Sequence, residues 1–253
     1  MTSATRTRLV VLASGGGTNL QAIIDACSDD TIHASVVAVV SDRPSTGALH
    51  RAQVADIPAL HLNPKLAADR RSYDESLGAL VADHQPDYVV LAGWMRVLST
   101  AFLNRFPEQV VNLHPALPGE LPGLNAIRRA FEEFTDGRRR MSGVMVHLVP
   151  DELVDAGPVL GARSVAFRES DTLETFEQRM HEAEHTLLVE TLAELCSPTA
   201  SPSTASMASP SNPSTSPSTT SIASPSIASP SIASPSIASP SIASPSIATE
   251  ATR

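Results

Sequence analysis

Apolar residues gather in short runs at positions 9–13, 35–41, 59–62, 88–92, 110–113, 144–149 and 159–165. Each run has the length of a strand. Leu9, Val10, Val11 and Leu12 are apolar without alternation, as in a strand covered on both faces. Between the runs the apolar spacing changes to three and four. Leu20, Ile23 and Ile24 form one stripe, and Tyr73, Leu77, Leu80 and Val81 form another. Ile127, Ala130, Phe131 and Phe134 form a third. Leu173, Phe176, Met180, Leu187, Leu188 and Leu192 predict a long final helix or a helix pair. Strands alternating with helices predict an α/β layer fold with a largely parallel sheet. Ligands of such sheets bind beyond the carboxyl ends of the strands, so the loops that follow the runs are where chemistry is expected.

The pattern stops near Ser197. From there Ser, Pro, Ala, Thr and Ile dominate, and from Ser221 the pentad Ser-Ile-Ala-Ser-Pro repeats in tandem. A proline every few residues removes backbone donors and blocks helix and central strand alike. One isolated Ile per pentad offers too little apolar surface to offset chain entropy. The division expected is therefore a catalytic domain over residues 1–196 and a disordered, inert tail over residues 197–253.

Composition narrows the classes of function. The net charge of −9 speaks against a general nucleic-acid or anionic-membrane partner. Cys27 and Cys196 are far apart and have no zinc-like spacing, which fits a reducing, cytoplasmic location. The apolar stretch after Arg6 and Arg8 is shorter than the core of a secretion signal and reads better as a first strand.

Three segments carry candidate chemistry. Ser14-Gly15-Gly16-Gly17-Thr18-Asn19 follows the first strand and opens the first helix. Glycines let the backbone approach a ligand closely, and helix N-terminal amides favour an anion. Thr18 and Asn19 are placed to cap the helix or to donate to a phosphate. The segment has neither the lysine of a nucleotide P-loop nor dinucleotide glycine spacing, so it reads as a monophosphate site or as a tight turn. Asn112 and His114 fall on one side at the end of another strand. An amide beside an imidazole suits an oxyanion forming on a carbonyl carbon, and a cap with a packed histidine is the plainer reading. Asp151, Glu152 and Asp155 precede a Gly-Pro break. With no histidine or cysteine cluster beside them they make a poor metal site, while a carboxylate close to His114 is expected to raise its pKa.

The ordered set of motifs resembles the glycinamide ribonucleotide formyltransferase family over residues 8–195. Its anchors are Ala13-Ser14-Gly15-Gly16-Gly17-Thr18-Asn19-Leu20-Gln21-Ala22, Leu91-Ala92-Gly93-Trp94-Met95-Arg96-Val97-Leu98-Ser99 and Asn112-Leu113-His114-Pro115-Ala116-Leu117. Pro122-Gly123, Val146-His147, Asp155-Ala156-Gly157-Pro158 and Glu184-His185 follow in order. The resemblance implies a Rossmann-like three-layer fold with a mostly parallel twisted sheet. It implies that Gly17, Thr18 and Asn19 bind the phosphate of phosphoribosylglycinamide and that Glu184 binds its ribose. Asn112, His114 and Asp155 match the catalytic trio. Arg70, Met95, Arg96, Val97 and Leu98, together with Asn112, match positions that bind the co-substrate 10-formyltetrahydrofolate. No metal is implied, and the chain is expected to be a monomer or a homodimer with small-molecule partners only.

Some positions depart from the family pattern. Leu117-Pro118-Gly119-Glu120-Leu121 replaces the usual Leu-Leu-Pro stretch, Asn125 stands where histidine is frequent, and Met145 stands where a small hydroxyl residue is usual. Residues 131–140 form a longer segment than usual, with Arg138, Arg139 and Arg140 expected to lie in a solvated loop. Two other formyl-folate enzymes share the resemblance. A formyltetrahydrofolate deformylase carries an added N-terminal regulatory domain, and a methionyl-tRNA formyltransferase carries a C-terminal tRNA-binding domain that the Ser/Pro tail cannot form. A non-catalytic folate binder would not need Asn112, His114 and Asp155 together.

Overall fold

All seven apolar runs form strands in the computed structural model, which describes residues 5–198. They are β1 (Thr7–Leu12), β2 (Ala34–Ser41), β3 (Ala59–His61), β4 (Tyr88–Leu91), β5 (Val110–His114), β6 (Met141–Leu148) and β7 (Val159–Ala166). One sheet holds them in the order β3-β2-β1-β4-β5-β6-β7. The pairs from β3 to β5 are parallel, and β6 and β7 run antiparallel to their neighbours. The chain goes outward from β1 through β2 to β3, then returns to place β4 on the other side of β1. That reversal opens a crevice at the carboxyl ends of β1 and β4. There Ser14 N donates to Gly93 O (3.0 Å) and Met95 N donates to Ser14 Oγ (3.0 Å), joining the two loops.

Among the described residues six α-helices flank the sheet: α1 (Thr18–Ser28), α2 (Gly47–Val54), α3 (Arg70–Ala82), α4 (Thr100–Leu103), α5 (Ala126–Thr135) and α6 (Leu173–Leu195). Alternate residues of β1 feed opposite layers. Leu9 and Val11 pack with Leu20 and Ile23 of α1 and with Phe176, Met180 and Leu188 of α6. Val10 and Leu12 pack with Tyr73, Leu77 and Val81 of α3 and Phe102 of α4. The result is the three-layer arrangement expected.

The final stripe is one helix of 23 residues, opened by a capping box between Thr172 and Thr175. Phe167, stacked on Phe176 at 4.1 Å and on Phe134 at 4.4 Å, ties the end of β7 to α5 and α6. Such aromatic pairs add about 0.5–1.5 kcal/mol each beyond burial. Helices α2 and α4 have no apolar stripe long enough to predict them. Thr46 caps α2 by accepting from Leu49 N, and the α4 start is held from a distance, where Glu152 Oε1 accepts from Thr100 N. No helix among the described residues is long and apolar enough to cross a membrane. The repeat tail from Thr199 onward lies outside the described residues.

Candidate functional site

The glycine loop is shaped by its neighbour α2. Gly17 is the N-cap residue of α1 at φ 74°, and a Cβ there would lie 2.6 Å from Ala48 Cα. Only glycine suits that backbone and that approach. A Cβ on Gly15 or Gly16 would meet nothing within 4 Å, so the outer face of the loop is uncovered. No side chain caps α1. The expectation that Thr18 or Asn19 caps it is thereby corrected, since both already lie inside the helix. The amides of the first turn are therefore left without a side-chain cap. Asn19 Nδ2 reaches Glu184 Oε2 of α6 at 3.4 Å, and the same oxygen takes a 2.8 Å contact from His181 Nδ1. Glu184 holds the His181 pKa above its ordinary 6.5, with burial pulling the other way.

Asn112 and His114 leave the same side of β5, as alternation predicts. Asp155 comes from the loop between β6 and β7, where its backbone takes φ 53°. Its carboxylate joins the two. Oδ1 accepts from Asn112 Nδ2 at 3.1 Å, Oδ2 lies 3.2 Å from His114 Nδ1, and Oδ2 also accepts from Gly123 N at 2.8 Å. Burial by itself would raise the Asp155 pKa, but the His147 ring, the Gly123 N–H and His114 bring it below the ordinary carboxylate value. His147 was read only as part of a motif. It is buried behind Asn112, with Nε2 3.0 Å from Asn112 Nδ2 and Nδ1 2.8 Å from Leu148 O. A carbonyl can only accept, so Nδ1 carries the proton and Nε2 accepts from the amide.

The His114 pKa differs from the expectation. Burial lowers it and outweighs the upward pull of Asp155 and of the Leu121 carbonyl, so the net shift is below 6.5. His147 and Arg129 add to the lowering. Both ring nitrogens nevertheless face acceptors, Nδ1 towards Asp155 and Nε2 towards Leu121 O at 3.1 Å. A neutral ring has one N–H and satisfies only one of them. Gaining a proton satisfies both, and the cost is desolvation. His114 is thus arranged to take up and release a proton.

The unusual stretch after His114 is tied down at several points. Leu117 packs onto Gly143 of β6, where a Cβ would meet Leu117 Cδ2 at 2.5 Å. Leu121 takes φ 43°, a conformation that costs a branched residue about 1–2 kcal/mol. Arg129 donates through Nη2 to Leu121 O (2.7 Å) and Pro122 O (2.6 Å). The arginine triplet is not simply solvated. Arg138 is exposed and pairs with Asp136 at 2.8 Å, but Arg139 is mostly covered and bridges Glu120 (2.5 Å) and Glu133 (2.7 Å). Met145 pairs in register with His114 and is buried, away from the cavity wall.

A cavity of about 630 Å³ runs through this region. It brings together Asn19, Met95, Arg96, Val97, Leu98, Asn112, His114, Asp155 and Glu184 from the sequence reading. Gly17, Thr18 and Arg70 do not line it. Gly17 and Thr18 sit beside it, at the start of the helix that presents Asn19. Arg70 stands outside its rim, donating to Val97 O (3.1 Å) and pairing with Glu152 (3.0 Å). Apolar side chains left in solvent, Met95, Val97, Leu124, Leu153 and Val154, cluster on its wall. His181 and Arg128 also line it and were not singled out in the sequence. The pairing of His181 with a glutamate three residues later was the one available signal for it.

Residues 7–192 match the family described as Formyl transferase. A phosphoribosylglycinamide formyltransferase of Dictyostelium discoideum is 39% identical over 197 residues, covering 73% of this chain and 95% of that protein. One of Escherichia coli is 38% identical over 179 residues, covering 71% and 82%. The fold is similar to the crystal structure of glycinamide ribonucleotide transformylase 1 from Symbiobacterium toebii, with a TM-score of 0.72, 36% identity and coverage of 77% and 89% of the two chains.

Proposed function

Because the chain belongs to the formyl transferase family, we propose that it is a phosphoribosylglycinamide formyltransferase. It passes the formyl group of 10-formyltetrahydrofolate to the glycinamide amine, giving the N-formyl product and tetrahydrofolate in de novo purine (IMP) biosynthesis. The observation that carries this reading is the single cavity that joins the Asn112, His114 and Asp155 cluster to Asn19 and Glu184. The reacting groups and a phosphosugar end are thereby within reach of one bound substrate.

The residues fit both substrates. The amides of the glycine loop and the α1 N-terminus suit a phosphate, and the Glu184 carboxylate suits ribose hydroxyls. The apolar wall of Met95, Val97, Leu124, Leu153 and Val154 suits a flat ring system. The half-exposed Arg70 guanidinium suits a carboxylate. No metal ligand is assigned.

The mechanism follows from the positions of the side chains. Attack of the neutral amine on the formyl carbon puts negative charge on the formyl oxygen. Asn112 is the amide donor for that oxygen, and His114 relays the proton lost by the attacking amine to the folate nitrogen as the bond from that nitrogen to the formyl carbon breaks, releasing tetrahydrofolate. Asp155 favours the protonated ring and holds a water for the transfer from the amine. Gly17, Thr18 and Asn19 anchor the phosphate, which converts remote binding into correct placement of the amine. A cytoplasmic location, small-molecule partners only, a monomer or homodimer, and a catalytic domain ending near Cys196 complete the proposal.

The test is to mix the full-length protein with 10-formyltetrahydrofolate and phosphoribosylglycinamide and follow tetrahydrofolate by absorbance. Formation that depends on the amine is expected. Product formed equally well without amine would replace the transferase with a deformylase, and no product in either mixture would overturn the activity.

A further inference from the structure

The segment Leu121-Pro122-Gly123 touches both proposed proton-handling groups. Leu121 O lies 3.1 Å from His114 Nε2, and Gly123 N donates to Asp155 Oδ2 at 2.8 Å. Yet Leu121 has no backbone preference for this arrangement. It holds φ 43°, which non-glycine residues seldom adopt, and it precedes a proline, which restricts it further. Something must hold the carbonyl where it is. Arg129 does so from α5, since its Nη2 lies 2.7 Å from Leu121 O and 2.6 Å from Pro122 O. One guanidinium nitrogen thus fixes two consecutive carbonyls and with them the orientation of the peptide aimed at His114.

We infer that Arg129 is a positioning residue for His114, acting through the Leu121 carbonyl oxygen that the two side chains share. The inference rests on the catalytic reading of His114. Arg129 acts in two ways. It fixes the acceptor that orients the imidazole, and it places a permanent positive charge near a ring that must gain and lose one. The charged and titratable groups facing His114 are Asp155, which favours its protonation, and His147 and Arg129, which oppose it. Of the groups that oppose it, Arg129 carries its charge at every working pH. The far side of the same loop is held independently by Arg139 through Glu120, so replacing Arg129 releases the carbonyl without freeing the whole loop.

The experiment compares Arg129→Lys, Arg129→Gln and Arg129→Met with the unaltered full-length protein. It uses the pH profile of kcat and the NMR titration of the His114 imidazole without substrate. Arg129→Met frees the Leu121 carbonyl, whose upward pull on His114 is larger than the downward pull of the Arg129 charge, so the His114 midpoint is expected to move downward and kcat to fall by about ten- to a hundredfold, the scale of an ångström-level misplacement. Arg129→Gln keeps a donor without the charge and is expected to move the midpoint upward while losing less kcat. Arg129→Lys keeps the charge and is expected to restore the midpoint. A midpoint that fails to move downward in Arg129→Met overturns the inference, whether kcat is normal or reduced, because the Leu121 carbonyl would then hold His114 without Arg129. His114→Ala is measured alongside. Normal turnover in that variant overturns the catalytic reading of His114 itself, whereas a dead His114→Ala with an unchanged Arg129→Met overturns the role of Arg129 alone.

Discussion

Asn112 donates its side-chain amide to Asp155 Oδ1 across 3.1 Å, linking the end of β5 to the loop that precedes β7. The other amide hydrogen goes to His147 Nε2 at 3.0 Å. Both hydrogens of the proposed oxyanion donor are therefore occupied within the protein. In the proposed mechanism a developing negative charge on a substrate oxygen competes with Asp155 for one of them. Asn112→Ala is expected to lower kcat by about 10²–10³-fold, as for other oxyanion donors. Asn112→Asp replaces the donor with a carboxylate facing Asp155 and is expected to lose more. Steady-state kinetics decides this, and turnover near that of the parent in Asn112→Ala would remove Asn112 from the chemistry.

The direction of the His114 shift allows a second test. Burial lowers the folded pKa below 6.5, and Asp155 works against it. Removing the charge with Asp155→Asn should drop the imidazole midpoint further, which NMR titration reads directly. The linkage has a definite sign. A histidine held neutral in the native state makes the unfolded chain the stronger proton binder, so its effect on stability improves as pH rises from the folded value to 6.5. A midpoint that rises in Asp155→Asn would contradict the pairing seen at 3.2 Å.

Periodicity made the layers legible, because Leu9 and Val11 against Val10 and Leu12 state which residues share a face. It also made Asn112 and His114 neighbours in space. Asp155 was readable only through the family resemblance, since 43 residues separate it from Asn112 and only the loop fold closes that distance. Arg129 and Arg139 show the limit. Arg139 is expected from sequence in a solvated loop and Arg129 carries no sequence signal, and only the folded loop reveals that Arg129 holds the Leu121 carbonyl and Arg139 pairs with Glu120. The net sign of the His114 shift failed for a related reason. A nearby carboxylate can be anticipated from sequence, but the degree of burial that outweighs it cannot.

The glycine loop makes a paired prediction. Gly17→Ala puts a Cβ 2.6 Å from Ala48 Cα at a residue with φ 74°. The backbone conformation alone costs about 1–2 kcal/mol, and the clash forces α2 away from the loop. Both thermal stability and affinity for phosphoribosylglycinamide should fall. Gly15→Ala meets nothing within 4 Å, so its fold should melt like the parent. If it still weakens the amine substrate and spares the folate, the uncovered face of the loop is where the phosphate lies. Equal melting temperatures for the two variants would mean that Ala48 does not constrain the loop.

Glu184 joins the loop to the last helix, and its removal has two separable readouts. It is buried on α6 and accepts from both Asn19 and His181. Glu184→Gln removes the charge while keeping the shape. A hydrogen bond to a charged group is worth about 1.5–3 kcal/mol, so KM for phosphoribosylglycinamide should rise by roughly ten- to a hundredfold with KM for the folate little changed. The same variant should lower the His181 midpoint, because Glu184 is the main cause of its upward shift. For a histidine raised above its unfolded value, the stabilisation is complete below 6.5 and disappears as pH climbs through the folded value. The parent should therefore lose stability relative to Glu184→Gln as pH rises across that window. Chemical denaturation at a series of pH values reads this without any substrate. Should the amine KM stay constant while the stability profile shifts as expected, Glu184 would be a partner for His181 alone and the ribose assignment would fall.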